Sequence, residues 1–235
     1  MQIIQMGNKH TNYSSRKNHV PTCIVNHISA GTMSSMDNWF RSPGNRVSSA
    51  HFGIAKDGRI HQYLDIKLAA WTQGLTVSAT HKAPAKIVRD NAGINPNSYC
   101  ISIEHEGTDG QLTDAQFKAS IWLHKHIQKE VKRIWGRQLL LDSYHVIGHF
   151  QIDPIRKASC PGPKFPWSTL YQELKGEVAK MEKITATGNG NTIKEALLIN
   201  GKAYVPARDM GEALGATVAW DKDKKHLDMN TKAKV

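Results

Sequence analysis

The sequence is poor in cysteine and has no long apolar segment. Three cysteines among 235 residues are too few for a disulfide scaffold, and the odd number leaves at least one thiol free. No apolar run approaches the ~20 residues that a membrane-spanning helix needs, so we expect no membrane insertion. The N-terminus lacks a basic leader followed by an apolar stretch, which leads us to expect synthesis in the cytoplasm without a signal peptide.

Several common catalytic motifs are also missing. The chain has no Walker phosphate-binding loop, no dinucleotide-binding glycine fingerprint, no H-E-x-x-H sequence, no paired C-x-x-C and no G-x-S-x-G. Each of these motifs positions a phosphate, a metal ion or a nucleophile in a particular way. The enzyme classes that depend on them are therefore excluded.

The composition and the charge narrow the remaining possibilities. Hydrophobic residues make up 40% of the chain and charged residues 22%, which is typical of a globular protein and excludes collagen, low-complexity disorder and coiled coil. The net charge of +11 predicts attraction to a polyanion such as nucleic acid, anionic lipid or an acidic cell-wall polymer. Since no nucleic-acid-binding motif is present, we expect no nucleic-acid partner.

The length and a change in composition predict two domains. At ~150 residues per domain, the chain holds one full domain and a smaller one. After Tyr171 the sequence becomes rich in lysine and glutamate and then reaches a glycine- and asparagine-rich stretch at 187–191, which is typical of a flexible connection. We predict a catalytic domain over 1–175, a linker over 176–190 and a small domain over 191–235.

The first domain has an α/β pattern. An apolar run ending in His27 predicts a short buried strand, and residues 33–40 have helical spacing. Asp57-Gly58 between two apolar segments predicts a hairpin with positive φ at both turn residues. Residues 99–106 alternate as in a half-buried strand. A capping box at 113–116 predicts a long helix that ends at Gly136.

The tail predicts a small α+β unit. Two apolar segments flank Asn200-Gly201 and predict a second hairpin. A helix is expected between Pro206 and Gly215, followed by a strand through Trp220. This ββαβ unit of ~60 residues without disulfides would be only marginally stable alone.

Residue types that bind zinc occur at three separated positions. They are His27 at a strand end, His149 at the end of H-V-I-G-H, and Cys160 in K-A-S-C-P-G. Two imidazoles and a thiolate suit Zn²⁺, and three protein ligands leave a fourth position for water. With twelve histidines, a given histidine is nevertheless more often structural. Cys160 can equally be an ordinary buried thiol, as we expect for Cys23 and Cys100.

Four ordered segments carry a family resemblance: 24–27 (IVNH), 49–58 (SAHFGIAKDG), 102–107 (SIEHEG), and 148–149 (GH) followed by 156–163 (RKASCPGP). Together, over about residues 20–172, they resemble the zinc-dependent N-acetylmuramoyl-L-alanine amidases, a family that includes phage endolysins and peptidoglycan recognition proteins. The resemblance implies a central mixed β-sheet flanked by helices, with zinc in a groove on the sheet.

The resemblance also implies a role for each matching residue. By motif position, His27, His149 and Cys160 are zinc ligands, Glu104 is the general base, and Lys157 lies beside the developing oxyanion. This set suits amide hydrolysis, which needs an activated water, a polarised carbonyl and a proton for the leaving amine. From the residues alone, either Glu104 or Glu106 can move the proton, and we favour Glu104 because it matches the motif. Without the motif, Lys157 would read as an ordinary loop lysine.

The tail resembles another small domain. Residues 202–208 (KAYVPAR) and 213–221 (ALGATVAWD) are similar to a domain first described at the N-terminus of copper amine oxidases and found on bacterial wall proteins. We expect no copper, because the tail has a single histidine, His226, and no cysteine. The expected role is attachment to the cell wall, and the alternative is a stabilising appendage.

The combined prediction is an endolysin. It would cleave the bond between the lactyl group of N-acetylmuramic acid and L-alanine of the stem peptide, using zinc-activated water, and would act on the wall after release from the cytoplasm. The expected partners are peptidoglycan and anionic wall polymers, and the oligomeric state stays open. One alternative is a peptidoglycan-binding module without activity, which Cys160 disfavours because such relatives commonly lose this cysteine. The other is a cysteine-dependent wall hydrolase using Cys160 or Cys100.

Overall fold

The chain divides into two compact units, Met1–Gly176 and Glu177–Val235. The structure is a computed structural model, and it describes residues 1–175, 181–199 and 201–231. None of the helices in this described part combines the length and the apolar character that crossing a membrane requires.

The first unit alternates strands and helices. Its α-helices and strands are β1 (Ile3–Gln5), β2 (Tyr13–Ser15), β3 (Cys23–Ile28), α1 (Met33–Phe40), β4 (Phe52–Ile54), β5 (Ile60–Gln62), β6 (Leu68–Ala70), α2 (Lys86–Asp90), β7 (Cys100–His105), α3 (Asp114–Trp135), β8 (Val146–Gly148) and α4 (Trp167–Leu174). Short 3₁₀ turns cover Val77–Lys82, Pro96–Ser98 and His149–Gln151.

A six-stranded mixed sheet forms the centre of this unit. The strand order is β1-β5-β4-β7-β3-β8, in which β4 and β5 are antiparallel and the other neighbours are parallel. The apolar side of α3 packs against one sheet face, where Ile24, Ile101 and Ile103 meet Leu123 and Ile127 in one buried cluster. The predicted fold class, a central mixed sheet flanked by helices, is confirmed.

Strand β7 differs from the prediction in its burial. The alternation of residues 99–106 predicts one solvent-facing side, yet Cys100, Ile101, Ser102, Ile103 and His105 are all buried. The reason is the position of β7 between β3 and β4. Both faces of a central parallel strand are covered by other elements.

Two predicted local motifs form with altered details. Strands β4 and β5 make the predicted hairpin. In its turn Gly58 has a positive φ of +87°, whereas the φ of Asp57 is not positive, contrary to the prediction. Thr113 caps α3 by accepting from the Gln116 N–H, and Gly136 ends the helix in the left-handed conformation. The Gln116 side chain does not complete the capping box, because its amide donates to the backbone oxygens of Ile54 and Glu106.

The second unit is small and rich in strands. Its described elements are β9 (Met181–Lys183), β10 (Ala186–Gly188), β11 (Asn191–Ile193), β12 (Leu197–Ile199), β13 (Lys202–Tyr204), α5 (Ala207–Ala213), β14 (Ala216–Asp221) and β15 (His226–Thr231). The order β12-β13-α5-β14 matches the predicted ββαβ unit. The expected turn residue Asn200 lies outside the described residues.

The predicted linker over 176–190 differs from the structure. Residues 176–180 lie outside the described part, whereas β9 and β10 lie inside the predicted linker. Strand β9 pairs with β12, and β10 pairs with β11. Backbone pairing with later strands therefore orders a stretch whose composition is typical of a flexible connection.

Candidate metal centre

Neighbouring parallel strands place His27 and Glu104 side by side. The register of β3 with β7 pairs these two residues directly. Since side chains alternate along a strand, both point to the sheet face opposite α3. They lie near the carboxyl ends of their strands, where ligand sites of parallel sheets form. The His27 Nδ1 atom is 3.9 Å from Glu104 Oε1.

The other two predicted ligands come from the segment after β8, which pairs with β3 on its other side. His149 follows the last residue of β8 and opens a 3₁₀ turn, and Cys160 lies in the loop beyond it. The Nδ1 atoms of His27 and His149 are 3.0 Å apart, and Cys160 Sγ is 4.0 Å from His27 Nδ1. All three ligand atoms lie within 4.8 Å of one another.

The separations from His27 to the other two candidate ligands are compatible with one shared metal ion. Zinc bonds nitrogen at about 2.0–2.1 Å and sulfur at about 2.3 Å. Two such bonds span at most about 4.1 Å between two nitrogens and about 4.4 Å between nitrogen and sulfur. The two separations that involve His27, 3.0 Å and 4.0 Å, lie within these limits. The pair of His149 and Cys160 lies within 4.8 Å, so a small inward shift brings all three ligand atoms to one ion.

A backbone carbonyl orients one of the imidazoles. His149 Nε2 is 2.9 Å from the Gln73 carbonyl oxygen, which can only accept a hydrogen bond. The proton of neutral His149 is thereby assigned to Nε2, and Nδ1 keeps its lone pair toward His27. Metal-binding histidines usually donate the N–H of the ring nitrogen that does not bind the metal to such an acceptor. On the other side, the Ile28 N–H donates to Cys160 Sγ at 3.4 Å.

Burial favours the neutral forms of the candidate ligands. Burial, and then the neighbouring His149, lower the pKa of His27 well below its usual value, and burial lowers the pKa of His149 to about 4. Both imidazoles are therefore neutral at pH 7 and have lone pairs to donate. Burial, with a smaller contribution from Glu104, raises the pKa of Cys160 to about 12. A bound cation reverses that tendency, because it stabilises the thiolate.

The Glu104 carboxyl group is also withdrawn from solvent. Burial raises its pKa to about 7, against a smaller lowering effect of Lys157. Its Oε2 atom is buried and has no hydrogen-bond partner among the described residues. A carboxyl group in this state can bind and release a proton near neutral pH.

An open groove gives access to this site. It has a volume of about 440 Å³, and Glu104, Lys157 and all three candidate ligands line it, together with Trp39 and Trp71 among others. Lys157 is exposed at the groove wall. The structure therefore brings every predicted site residue to one cavity.

Glu106 and Cys100, the two alternatives from the sequence, lie elsewhere. The Glu106 carboxylate accepts a hydrogen bond of 2.7 Å from the Lys56 backbone N–H. This hydrogen bond therefore holds the turn between β4 and β5. Cys100 is buried beside Cys23 at the other end of β3 and β7, as expected for structural thiols. Neither residue lines the groove, which is formed entirely by described residues.

Sequence reasoning missed the contacts that support the ligands. The Gln73 carbonyl is one. Another is Asp153, which accepts from Arg156 at 2.6 Å, while Arg156 also donates to the Gly74 carbonyl. These bonds join the loop carrying Lys157 to the segment holding His149. The acidic and basic pair at 153 and 156 was visible in the sequence, but a carbonyl carries no residue-type signal.

Two family models match the chain. The model described as N-acetylmuramoyl-L-alanine amidase matches residues 17–163, and the model described as copper amine oxidase N-terminal domain matches residues 179–235. The first covers the whole candidate metal centre. The second lies within the second compact unit.

Individual proteins show the same relationship. The chain is 30% identical over 180 residues to N-acetylmuramoyl-L-alanine amidase A of Achromobacter lyticus, covering 71% of this chain and 89% of that protein. It is 30% identical over 128 residues to the 1,6-anhydro-N-acetylmuramyl-L-alanine amidase AmpD of Haemophilus influenzae, covering 54% of this chain and 59% of that protein.

Solved structures share the fold. A selenomethionine derivative of AmpD matches with a TM-score of 0.54 at 24% identity, covering 73% of this chain and 93% of that chain. The N-acetylmuramoyl-L-alanine amidase LysC from Clostridium intestinale matches with a TM-score of 0.50 at 18% identity, covering 74% and 98%. At these identities the likeness concerns the architecture alone.

Proposed function

The chain belongs to the N-acetylmuramoyl-L-alanine amidase family, and from this premise we propose that it cleaves peptidoglycan between the lactyl group of N-acetylmuramic acid and L-alanine of the stem peptide. Family membership confirms the predicted enzyme class. The observation that carries the proposal is the convergence of His27, His149 and Cys160 beside Glu104 in one groove.

The proposed metal is Zn²⁺, with His27 and His149 each contributing Nδ1 and Cys160 contributing Sγ. Two neutral imidazoles and one cysteine sulfur are a donor set that zinc prefers over magnesium or calcium. When bound, the ion acidifies a water molecule and polarises the scissile carbonyl. Three protein ligands leave room for that water.

Glu104 is proposed to move the proton. Its carboxylate accepts a proton from the attacking water as the new carbon–oxygen bond forms. It then delivers this proton to the alanine nitrogen as the carbon–nitrogen bond breaks. The unpartnered Oε2 atom supports this role, because no protein group competes for it among the described residues. The products are a lactyl carboxylate and a free amino group on L-alanine.

Lys157 is proposed to stabilise the negative charge that develops on the substrate carbonyl oxygen. Lys157 lines the groove with Glu104 and the ligands, and a positive charge beside a developing oxyanion stabilises it. The hydrogen bond of Arg156 to the Gly74 carbonyl restrains the loop next to Lys157. This restraint limits the movement of the backbone from which the Lys157 side chain extends.

A cysteine nucleophile fits the geometry less well. A cysteine–histidine pair needs one imidazole beside the thiol. Here a second imidazole nitrogen lies only 3.0 Å from the first, which that mechanism does not require. Chelation separates the two hypotheses: the zinc enzyme loses activity and regains it with Zn²⁺, whereas a cysteine hydrolase keeps activity after chelation and loses it with a thiol alkylator.

The bond specificity has a direct test. Purified protein incubated with isolated cell walls should release stem peptides with new L-alanine N-termini, and metal analysis should find about one zinc per chain. Release of reducing sugar ends would contradict the amidase reaction. Wall binding with no release of either product would favour the binding module without activity.

We further propose that the protein is an endolysin of phage type, made in the cytoplasm and acting on the wall after release. The net charge of +11 supports attraction to anionic wall polymers, and the second unit is proposed to attach the enzyme to the wall. Cells producing the protein should lyse only after their membrane is permeabilised. Lysis before permeabilisation would contradict release through a separate membrane lesion.

Attachment through anionic polymers has its own measurement. Binding of the full chain to purified walls should weaken when the anionic polymers are extracted and when salt is raised from low to high concentration. Binding that is indifferent to both treatments would point instead to a second unit that only stabilises the protein.

A further inference from the structure

A second cavity adjoins the catalytic groove. It has a volume of about 360 Å³ and is lined by Ser14, Ser15, Lys17, Ala69, Trp71, Asn95, Asn97 and Ser98. Its volume lies within the range of about 300–1,000 Å³ that is typical of small-molecule pockets. Trp71 lines both this cavity and the groove. We refer to it below as the Asn95 pocket.

Two amide groups in the Asn95 pocket have free donors. The Asn95 side-chain oxygen accepts from the Asn97 N–H at 2.9 Å. The Asn97 side-chain oxygen accepts from the Thr72 and Gln73 N–H groups at 3.2 Å and 2.9 Å. With both oxygens engaged by the backbone, each Nδ2 group has no hydrogen-bond partner among the described residues. Together they offer up to four N–H donors to a ligand that presents acceptor oxygens.

The indole of Trp71 is held in place as a wall of the Asn95 pocket. Its Nε1 atom donates to Ser14 Oγ at 2.7 Å, and its backbone N–H donates to Ser49 Oγ at 2.8 Å. The ring is half-buried. A restrained, partly exposed indole offers an apolar surface for the C–H groups of a flat or ring-shaped ligand.

The remaining wall comes from a tight turn after β2. Lys17 and Asn18 both have positive φ, at +49° and +67°, and Ser15 Oγ accepts from the Lys17 N–H at 3.1 Å. This turn places the Lys17 side chain along the Asn95 pocket. No carboxylate lines the pocket, whose walls are all described residues, so it has no preference for a cation.

We propose that the Asn95 pocket binds a sugar ring of the glycan strand next to the muramic acid residue whose peptide is removed. This inference rests on the proposed function, which makes the substrate a polymer with sugars on either side of the reacting muramic acid residue. A sugar ring with an acetamido group presents hydroxyl and carbonyl acceptors for the amide donors and a C–H face for the indole. Because Trp71 lines both cavities, the Asn95 pocket lies next to the groove, where a neighbouring sugar of a bound strand can reach it.

The binding itself can be tested without catalysis. The probe is a tetrasaccharide of N-acetylglucosamine without peptide, added to the ¹⁵N-labelled full chain. The side-chain amide signals of Asn95 and Asn97 and the indole Nε1 signal of Trp71 should shift with increasing sugar. Shifts confined to other signals, or no shifts at millimolar sugar, would overturn the proposal. Neither result depends on hydrolysis, so this test is separate from that of the amidase reaction.

Kinetics provides a second test through one conservative variant. Asn95→Asp keeps the oxygen that accepts from the Asn97 N–H and replaces the two free donors with an acceptor. We expect the ratio of kcat/KM on a four-sugar muropeptide to that on a single-sugar muramoyl peptide to fall about tenfold, the effect of losing about 1.4 kcal/mol of binding. The matched control Asn230→Asp, an exposed strand residue in the second unit, should leave this ratio unchanged.

The outcomes distinguish the two proposals. If neither substrate is hydrolysed by the unmodified chain, the amidase reaction fails, while the sugar titration still decides the fate of the Asn95 pocket. If both substrates are hydrolysed and the ratio in Asn95→Asp equals that of the unmodified chain, the Asn95 pocket does not bind the glycan.

Discussion

The two faces of the central sheet are built from the same strands but serve different purposes. On the α3 face, β7 contributes Ile101 and Ile103 to the main buried cluster. On the opposite face, the alternating residues Ser102 and Glu104 are polar. Ser102 is buried, and the Glu104 side chain is 12% exposed. Burial of apolar groups stabilises the fold, whereas burial of polar groups costs stability unless they are paired. The α3 face therefore holds the main apolar cluster, whereas the opposite face combines a second buried apolar cluster, which includes Val25 and Cys100, with the polar residues of the groove.

This comparison predicts that substitutions on the two faces have separable effects. At the polar residues that line the groove they should change metal content or turnover with little loss of stability. On the α3 face they should change stability with little effect on turnover. The following predictions test that separation, from the largest expected effect to the smallest.

Removing a ligand should have the largest effect. His27→Ala deletes one of three metal-binding atoms, so zinc content should fall from about one per chain to near zero, and activity should fall by at least about 10³-fold. Elemental analysis and a peptide-release assay measure both. His81→Ala, at an exposed histidine, is the matched control and should retain both. Full zinc content in His27→Ala would remove this residue from the site.

Glu104→Gln should reduce turnover while zinc stays bound. General acid–base catalysis contributes about 10²–10⁴-fold, so kcat should fall by that factor. Glu106→Gln is the matched control, because its amide oxygen can still accept from the Lys56 N–H, and its activity should stay within about twofold. Undiminished kcat in Glu104→Gln would assign proton transfer to another group.

A cavity on the α3 face should lower stability and leave metal content and turnover unchanged. Ile127 is fully buried in the main cluster, and Ile127→Ala should lower the free energy of unfolding by about 2–5 kcal/mol. Zinc content and kcat at 20 °C should not change. The control Ile155→Ala makes the same substitution at a side chain that is 89% exposed, and should stay within about 0.5 kcal/mol. Denaturant unfolding with each variant measures the difference.

Acid should lower the free energy of unfolding, because the buried His124 side chain of α3 resists protonation in the folded protein. Burial lowers the pKa of His124 to about 4, below its ordinary value of about 6.5 in the unfolded chain. The unfolded chain therefore binds more protons between these values, and the stability present above pH 6.5 is lost as pH falls toward 4. The loss amounts to on the order of 3 kcal/mol.

The His124 contribution is isolated by substitution. His124→Asn removes the titrating group, so its unfolding free energy should depend less on pH between 6.5 and 4 than that of the unmodified chain. Equal pH dependence in the two proteins would show that His124 stays uncharged in the unfolded state or is charged in the folded one.

Much of this arrangement could be predicted from local sequence signals. Thr113 and Gly136 mark the ends of α3 because a side-chain cap and a left-handed residue are local requirements. The three candidate ligands were identified by residue type and by the family motifs around them. The double burial of β7 could not be predicted, because it depends on β3 and β4 as neighbours. The contact of His149 with the Gln73 carbonyl could not be predicted either, because every residue has a backbone carbonyl and the sequence does not mark this one.

The register between β3 and β7 has a consequence for redesign. Because hydrogen-bonded strands lie about 4.7–4.9 Å apart in any sheet, the spacing between His27 and Glu104 is a property of the backbone ladder. Loops bordering the groove can then be shortened, lengthened or exchanged to accept other polymers while the reactive pair keeps its separation. New substrate preferences should therefore be easier to graft onto this scaffold than new chemistry.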